Sequence, residues 1–72
     1  MKRRNGEFSR RLRRLRESQG KSRRMVSELC GLSPDAVRRY ERGEAEPTMG
    51  VLERLADYFG VSMDYLSGRA EK

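Results

Sequence analysis

Residues 28–43 read ELCGLSPDAVRRYERG, and what decides the fold is how little separates two helix-forming runs. Ser22 precedes a run that ends at Gly31, and Ser33 precedes another that ends at Gly43. A small hydroxyl residue accepts a hydrogen bond from the open amides of a first turn. Glycine supplies the left-handed conformation just past a last turn. Pro34 follows Ser33 directly, where its missing N–H costs nothing. Only Gly31 and Leu32 lie between Cys30 and the expected cap at Ser33. A joint this short, turning on a glycine, sets two helices at a steep angle and predicts a helix-turn-helix. The apolar pattern agrees, with Val26, Cys30, Leu32, Val37 and Tyr40 surrounding the small Ser27 and the Gly31 turn.

The same punctuation recurs outward from this stretch. Gly20 ends a first run, Thr48 opens one that ends at Gly60, and Ser62 opens a short one that ends at Gly68. No run alternates as a half-buried strand would, so the expectation is an all-α domain of five helices with short connections. At ~100° per residue, Phe8, Leu12, Leu15 and Gln19 share one face of the first helix, with Arg10, Arg13, Arg14 and Glu17 opposite. The second helix groups Val26, Leu29 and Cys30, with Met25 beside them. The third puts Val37, Tyr40 and Glu41 together. The fourth carries Leu52, Leu55, Ala56 and Phe59, and the last offers Val61, Met63, Tyr65 and Leu66. Residues 7–68 form the expected domain, between a basic segment at 1–6 and a short segment at 69–72.

Composition narrows the function. In 72 residues there are 17 Lys and Arg against 11 Asp and Glu, no His and no Trp. Fourteen of the basic residues but only five of the acidic ones precede Glu44, whereas the remainder holds three and six. Such asymmetry suggests a polyanionic partner for the first half. A domain this small buries only about 60% of the surface its unfolded chain exposes, so dimerisation or a partner would help stabilise it. Cys30 is the only cysteine, which excludes an intramolecular disulfide and any cysteine-based metal site. It is expected to be a small core residue in the helix joint. The start, MKRRNGEFSRR, has basic residues with no apolar stretch behind them, unlike a secretory signal. Apolar runs of two or three residues span no membrane, and a cytoplasmic location is expected. An enzyme is not expected, because no His, reactive Cys or convergent carboxylates are in evidence. Neither a cofactor nor a metal is implied, and no small-molecule effector is evident.

The segments RLRRLRESQGKS, ELCGLSPDAVRRYERGEAEPT and LERLADYFGVSMDYLSG, in this order and spacing, resemble the helix-turn-helix family of lambda-type phage repressors and Cro proteins, the XRE family. The likeness runs from about Phe8 to Gly68, and YERGEAEPT followed by LADYFGVS is its most characteristic part. The resemblance implies a five-helix, lambda repressor-like domain that binds double-stranded operator DNA as a homodimer, with its third helix in the major groove. It further implies base contacts from Pro34, Asp35, Arg38 and Arg39, phosphate contacts from Ser22, Arg23, Ser33 and Arg42, and a structural ion pair between Arg16 and Glu41. The chain departs from the family pattern at Lys21 and Arg23, where leucine and glutamine are common. It also departs at Pro34 and Asp35, where other polar residues are common, and in the acidic GEAEP loop.

Physical chemistry weighs these positions separately. Asp35 and Arg39, like Arg38 and Arg42, are spaced as i,i+4 pairs, so this face could be a solvated surface with an internal Asp35–Arg39 pair. On a recognition helix, arginine can instead bond bidentately to guanine O6 and N7, and Asp35 could accept from cytosine N4 or orient Arg39. Arg38 and Arg39 are therefore the expected readers. Ser22 and Arg23 sit at a helix start, where open amides favour phosphate. The arginines of RRLRRLR mostly face outward and are expected to add long-range attraction. Lys2, Arg3 and Arg4 read as a tail. Met63, Tyr65 and Leu66 either complete the core or form a dimer seam. The function expected is sequence-specific regulation of transcription, most simply repression at a pseudo-palindromic operator. The alternative is a protein-interaction module, such as an antitoxin or a regulator-binding protein, working through the acidic half beyond Gly43 and the Met63, Tyr65 and Leu66 cluster.

Overall fold

The computed structural model describes residues 6–71. Lys2, Arg3 and Arg4 lie outside them. Five helices follow in order: α1 (Gly6–Ser18), α2 (Arg23–Leu29), α3 (Ala36–Glu41), α4 (Met49–Phe59) and α5 (Met63–Ser67). The hydroxyl caps expected at Ser22, Thr48 and Ser62 are in place, accepting from the amides of Met25, Val51 and Tyr65 respectively.

One continuous core holds the helices together. Phe8 and Leu12 of α1, Val26 of α2, Val37 of α3, Leu55 and Ala56 of α4 and Leu66 of α5 are all buried in it. Tyr40 meets Phe8 edge-on at 5.7 Å between ring centroids, and Ser9 Oγ donates to the Tyr40 carbonyl at 2.6 Å. These contacts lay α3 across α1. Two residues grouped with the core from sequence face outward instead: Met25 is 49% exposed and Leu29 58%. They stand four apart on a seven-residue helix that has room for only a narrow buried stripe, and Val26 and Ser27 fill it. Gln19 lies beyond the end of α1 and is exposed.

The helix-turn-helix joint is built by the buried Ser27. Its hydroxyl donates to the Arg23 carbonyl at 2.9 Å and accepts from the Val37 amide at 3.0 Å. Its own carbonyl accepts from the Leu32 amide at 2.8 Å. One small side chain thus ties α2 to the first turn of α3. A buried amide left without that acceptor would cost about 1–3 kcal/mol. Gly31 turns the chain with φ +73°, a left-handed geometry that a side chain would strain. From α4, Arg54 Nη1 donates to the Gly31 carbonyl at 3.4 Å. The α3 helix begins later than the cap expected at Ser33. Asp35 is the residue preceding it, and Ser33 instead closes a turn by accepting from the Ala36 amide at 3.0 Å.

At the far end, Gly68 has φ +93°, and a Cβ there would stand 2.5 Å from Glu7 Cβ. Arg69 and Ala70, assigned by sequence to a terminal segment, both donate through their amides to the Asp64 carbonyl. Arg11 secures this end to α1. Its guanidinium donates to the Tyr65 carbonyl at 2.6 Å and to that of Ala70, and it lies over the Tyr65 ring at 4.5 Å. No helix among the described residues is long and apolar enough to cross a membrane.

Candidate nucleic-acid interface

The start of α2, the approach to α3 and the end of α3 form one strongly basic surface. A cleft of about 390 Å³ is lined by Arg13, Arg16, Ser22, Arg23, Glu41 and Arg42. A second, of about 330 Å³, is lined by Ser22, Arg23, Arg24, Pro34, Asp35 and Arg38. Ser22 and Arg23 border both, so Ser22, Arg23 and Arg42, expected at phosphates, and Pro34, Asp35 and Arg38, expected at bases, line adjoining clefts, whereas Arg39 lines neither. Ser33 is exposed beside Pro34 and Asp35.

Hydrogen bonding sorts the arginines on this surface, which the sequence could not do. Arg38 is held by Asp35 on two bonds, Nε to Oδ1 at 2.9 Å and Nη2 to Oδ2 at 2.6 Å. The internal pair expected between Asp35 and Arg39 is therefore made with Arg38, three residues on rather than four. Both i,i+3 and i,i+4 residues are neighbours on a helix surface, and of the two the carboxylate takes Arg38. The Arg38 hydrogen bond holds the Asp35 carboxyl below the usual carboxylate range, and the same contact raises the Arg38 pKa. Arg42 bridges to Glu44 at 2.9 Å, and Arg24 to Glu28 at 3.1 Å. The side chains of Arg23 and Arg39 are exposed and make no hydrogen bond or ion pair among the described residues. Arg23 borders both clefts, and Arg39 stands on α3 next to Arg38 in sequence.

Arg16 and Glu41 are joined as the family resemblance implied. Arg16 Nε donates to Glu41 Oε2 at 2.6 Å and Nη2 to Oε1 at 3.1 Å, while Nη1 reaches the Lys21 carbonyl at 2.8 Å. The bond to Glu41 raises the Arg16 pKa against the opposing effect of burial. This fork ties α1 to the last turn of α3 and to the segment entering α2, so it fixes the frame on which Arg23 and Arg39 stand. Cys30 is half-buried and packs against the core. Burial pushes its thiol pKa up, partly offset by Arg54, which disfavours the reactive thiolate.

Sequence reasoning overlooked two contributors, Ser27 and Arg11. Ser27 was legible only as a small residue. Arg11 sits among arginines of the same appearance, and its partners at Tyr65 and Ala70 lie on the opposite end of the chain. Of the residues expected at a dimer seam, Leu66 is fully buried in the core, whereas Met63 and Tyr65 are half-exposed. Tyr65 also borders a groove with Leu15, Gly60, Val61, Ser62 and Glu71.

Comparison with known proteins gives concordant results. A family model described as Helix-turn-helix matches residues 12–66. The chain is 36% identical over 59 residues to the SPbeta prophage-derived uncharacterized HTH-type transcriptional regulator YonR of Bacillus subtilis, covering 82% of this chain and 55% of that protein. It is 32% identical over 62 residues to the HTH-type transcriptional regulator PuuR of Escherichia coli, covering 86% and 34%. It is 36% identical over 59 residues to the cryptic phage CTXphi transcriptional repressor RstR of Vibrio cholerae, covering 82% and 53%. The chain thus spans from a third to just over half the length of these relatives. Among solved structures, the P22 c2 repressor in complex with synthetic operator 9T matches with a TM-score of 0.81 at 27% identity, over 88% of this chain and 96% of that one.

Proposed function

Because this chain belongs to the helix-turn-helix family whose model spans its residues 12–66, we propose that it is a sequence-specific DNA-binding transcriptional regulator, acting as a repressor by occupying its operator. The observation that carries this reading is the pair of exposed, uncommitted guanidiniums, Arg39 on α3 and Arg23 at the start of α2, two helices held in place by Ser27 and by the Arg16–Glu41 fork. With α3 in the major groove, Arg39 meets base edges, where an arginine fork matches guanine O6 and N7. Arg23, Ser22, Ser33 and Arg42 then face the flanking phosphates, which set register without reading sequence. Two copies related by a two-fold axis would place their α3 helices in successive major grooves about 34 Å apart, giving a pseudo-palindromic site. The half-exposed Met63 and Tyr65 provide the seam. The relatives named as transcriptional regulators and the repressor–operator complex of matching fold support this assignment.

The division of labour between the two arginines is testable by quantitative binding to a selected site and to single-base variants of it. Arg39→Ala should relax preference at one base position per half-site, by about 1–3 kcal/mol. Arg23→Ala should weaken binding to all sequences nearly uniformly and make the salt dependence shallower. Identical behaviour of the two variants would contradict the assignment.

A further inference from the structure

We infer that Asp35 is a specificity-determining positioning residue, which holds Arg38 in one orientation so that this arginine reads a single base edge-on. The inference rests on the DNA-binding role proposed above and deepens it. Asp35 stands where an aspartate ordinarily caps its helix by accepting from an amide of the first turn, yet it makes no such bond. Both its oxygens accept from Arg38 instead. The side chains of Asp35 and Arg38 are 58% and 39% exposed, a setting in which an ion pair adds little to stability. What the pair does do is fix direction. The backbone beneath it is anchored by Val37, whose side chain is buried and whose amide is held by Ser27.

The geometry determines which donors are left. A guanidinium carries five N–H groups in a planar fork, and Asp35 occupies the edge formed by Nε and Nη2. The end of the fork, Nη1 with the second hydrogen of Nη2, remains available, and it presents two parallel donors of the kind that match guanine O6 and N7. The carboxylate also works by exclusion. It is ionised at neutral pH, so it repels an approaching phosphate. Arg39 lacks such a brace. The two adjacent arginines therefore differ in kind, Arg38 being a rigid reader and Arg39 an adaptable one.

The test compares wild type, Asp35→Ala, Asp35→Asn, Arg38→Ala and the Asp35→Ala/Arg38→Ala double variant. Each is selected against a random-sequence duplex pool and then titrated on the preferred site and its single-base variants. In Asp35→Ala the preference for guanine at one position should fall by about fivefold or more, while preference at the other positions stays. Affinity for random DNA should hold or rise, because a negative charge has gone. Asp35→Asn, which keeps one acceptor for Arg38, should fall between. Once Arg38 is removed, Asp35→Ala should change nothing further at that position. Unfolding temperatures close to wild type would show that the effect is one of positioning. Unchanged base preference in Asp35→Ala, or equal relaxation at every position, would overturn the inference while leaving the DNA-binding reading intact. Failure of wild type itself to enrich any motif would overturn both.

Discussion

Glu41→Ala is expected to lower stability by about 3–5 kcal/mol, the cost of breaking a buried ion pair by removing one partner. Glu41 and Arg16 side chains are only 4% and 13% exposed, so little water can replace what the carboxylate supplied. Two of the hydrogen bonds from Arg16 would lose their acceptor, and only the bond to the Lys21 carbonyl would stay. For a domain of this size, each kcal/mol shifts the unfolding midpoint by about 4–8 °C, which puts the expected fall at about 12–40 °C. Circular dichroism during thermal or urea unfolding measures it directly. A double replacement of Arg16 and Glu41 by apolar residues of similar volume should cost much less, because no charge is stranded. The pH dependence has a definite sign. The Arg16 pKa is raised by its bond to Glu41, so its share of the stabilisation is complete at neutral pH and is lost only in strong alkali, as pH rises through the raised value.

DNA affinity should be steeply sensitive to salt. On the proposed reading, Arg23 and Arg42 give two phosphate-facing cations per protomer and four per dimer, and each neutralised phosphate adds about −0.9 to the slope of log affinity against log salt. A slope near −4 follows, so a fourfold rise in salt should weaken binding by roughly a hundredfold. Arg42 brings Glu44 with it at 2.9 Å, and binding has to draw that guanidinium from its carboxylate. Glu44→Gln should therefore steepen the slope and tighten binding at low salt. Fluorescence anisotropy of a labelled duplex across a salt series checks both expectations. A slope near zero would show that this surface does not face phosphate.

Much of this was legible because the signals were local. The caps at Ser22, Thr48 and Ser62 and the glycine turn at Gly31 follow from chemistry within a few residues, and they set the helix order. The resemblance extended this to the Arg16–Glu41 pair, which no local spacing could give. What escaped reading depended on the third dimension. Met25 and Leu29 look as apolar as Val26, but which of them turns inward depends on what α3 and α4 present to α2. Arg11 is indistinguishable in sequence from Arg10 or Arg13, although it alone of the three reaches the carbonyls of Tyr65 and Ala70. The helix-surface spacing rule allows Asp35 a partner at either Arg38 or Arg39, and only the structure shows that Arg38 takes it.

Whether α3 reads DNA sequence through Arg38 and Arg39 is decided by selecting the wild-type protein against a random-sequence duplex pool at moderate salt. Enrichment of a two-fold symmetric motif is expected, with half-sites one helical turn apart and guanines at fixed positions in each. A folded protein that retains the whole pool without enriching any sequence, or a motif unchanged when both arginines are replaced by alanine, would contradict it.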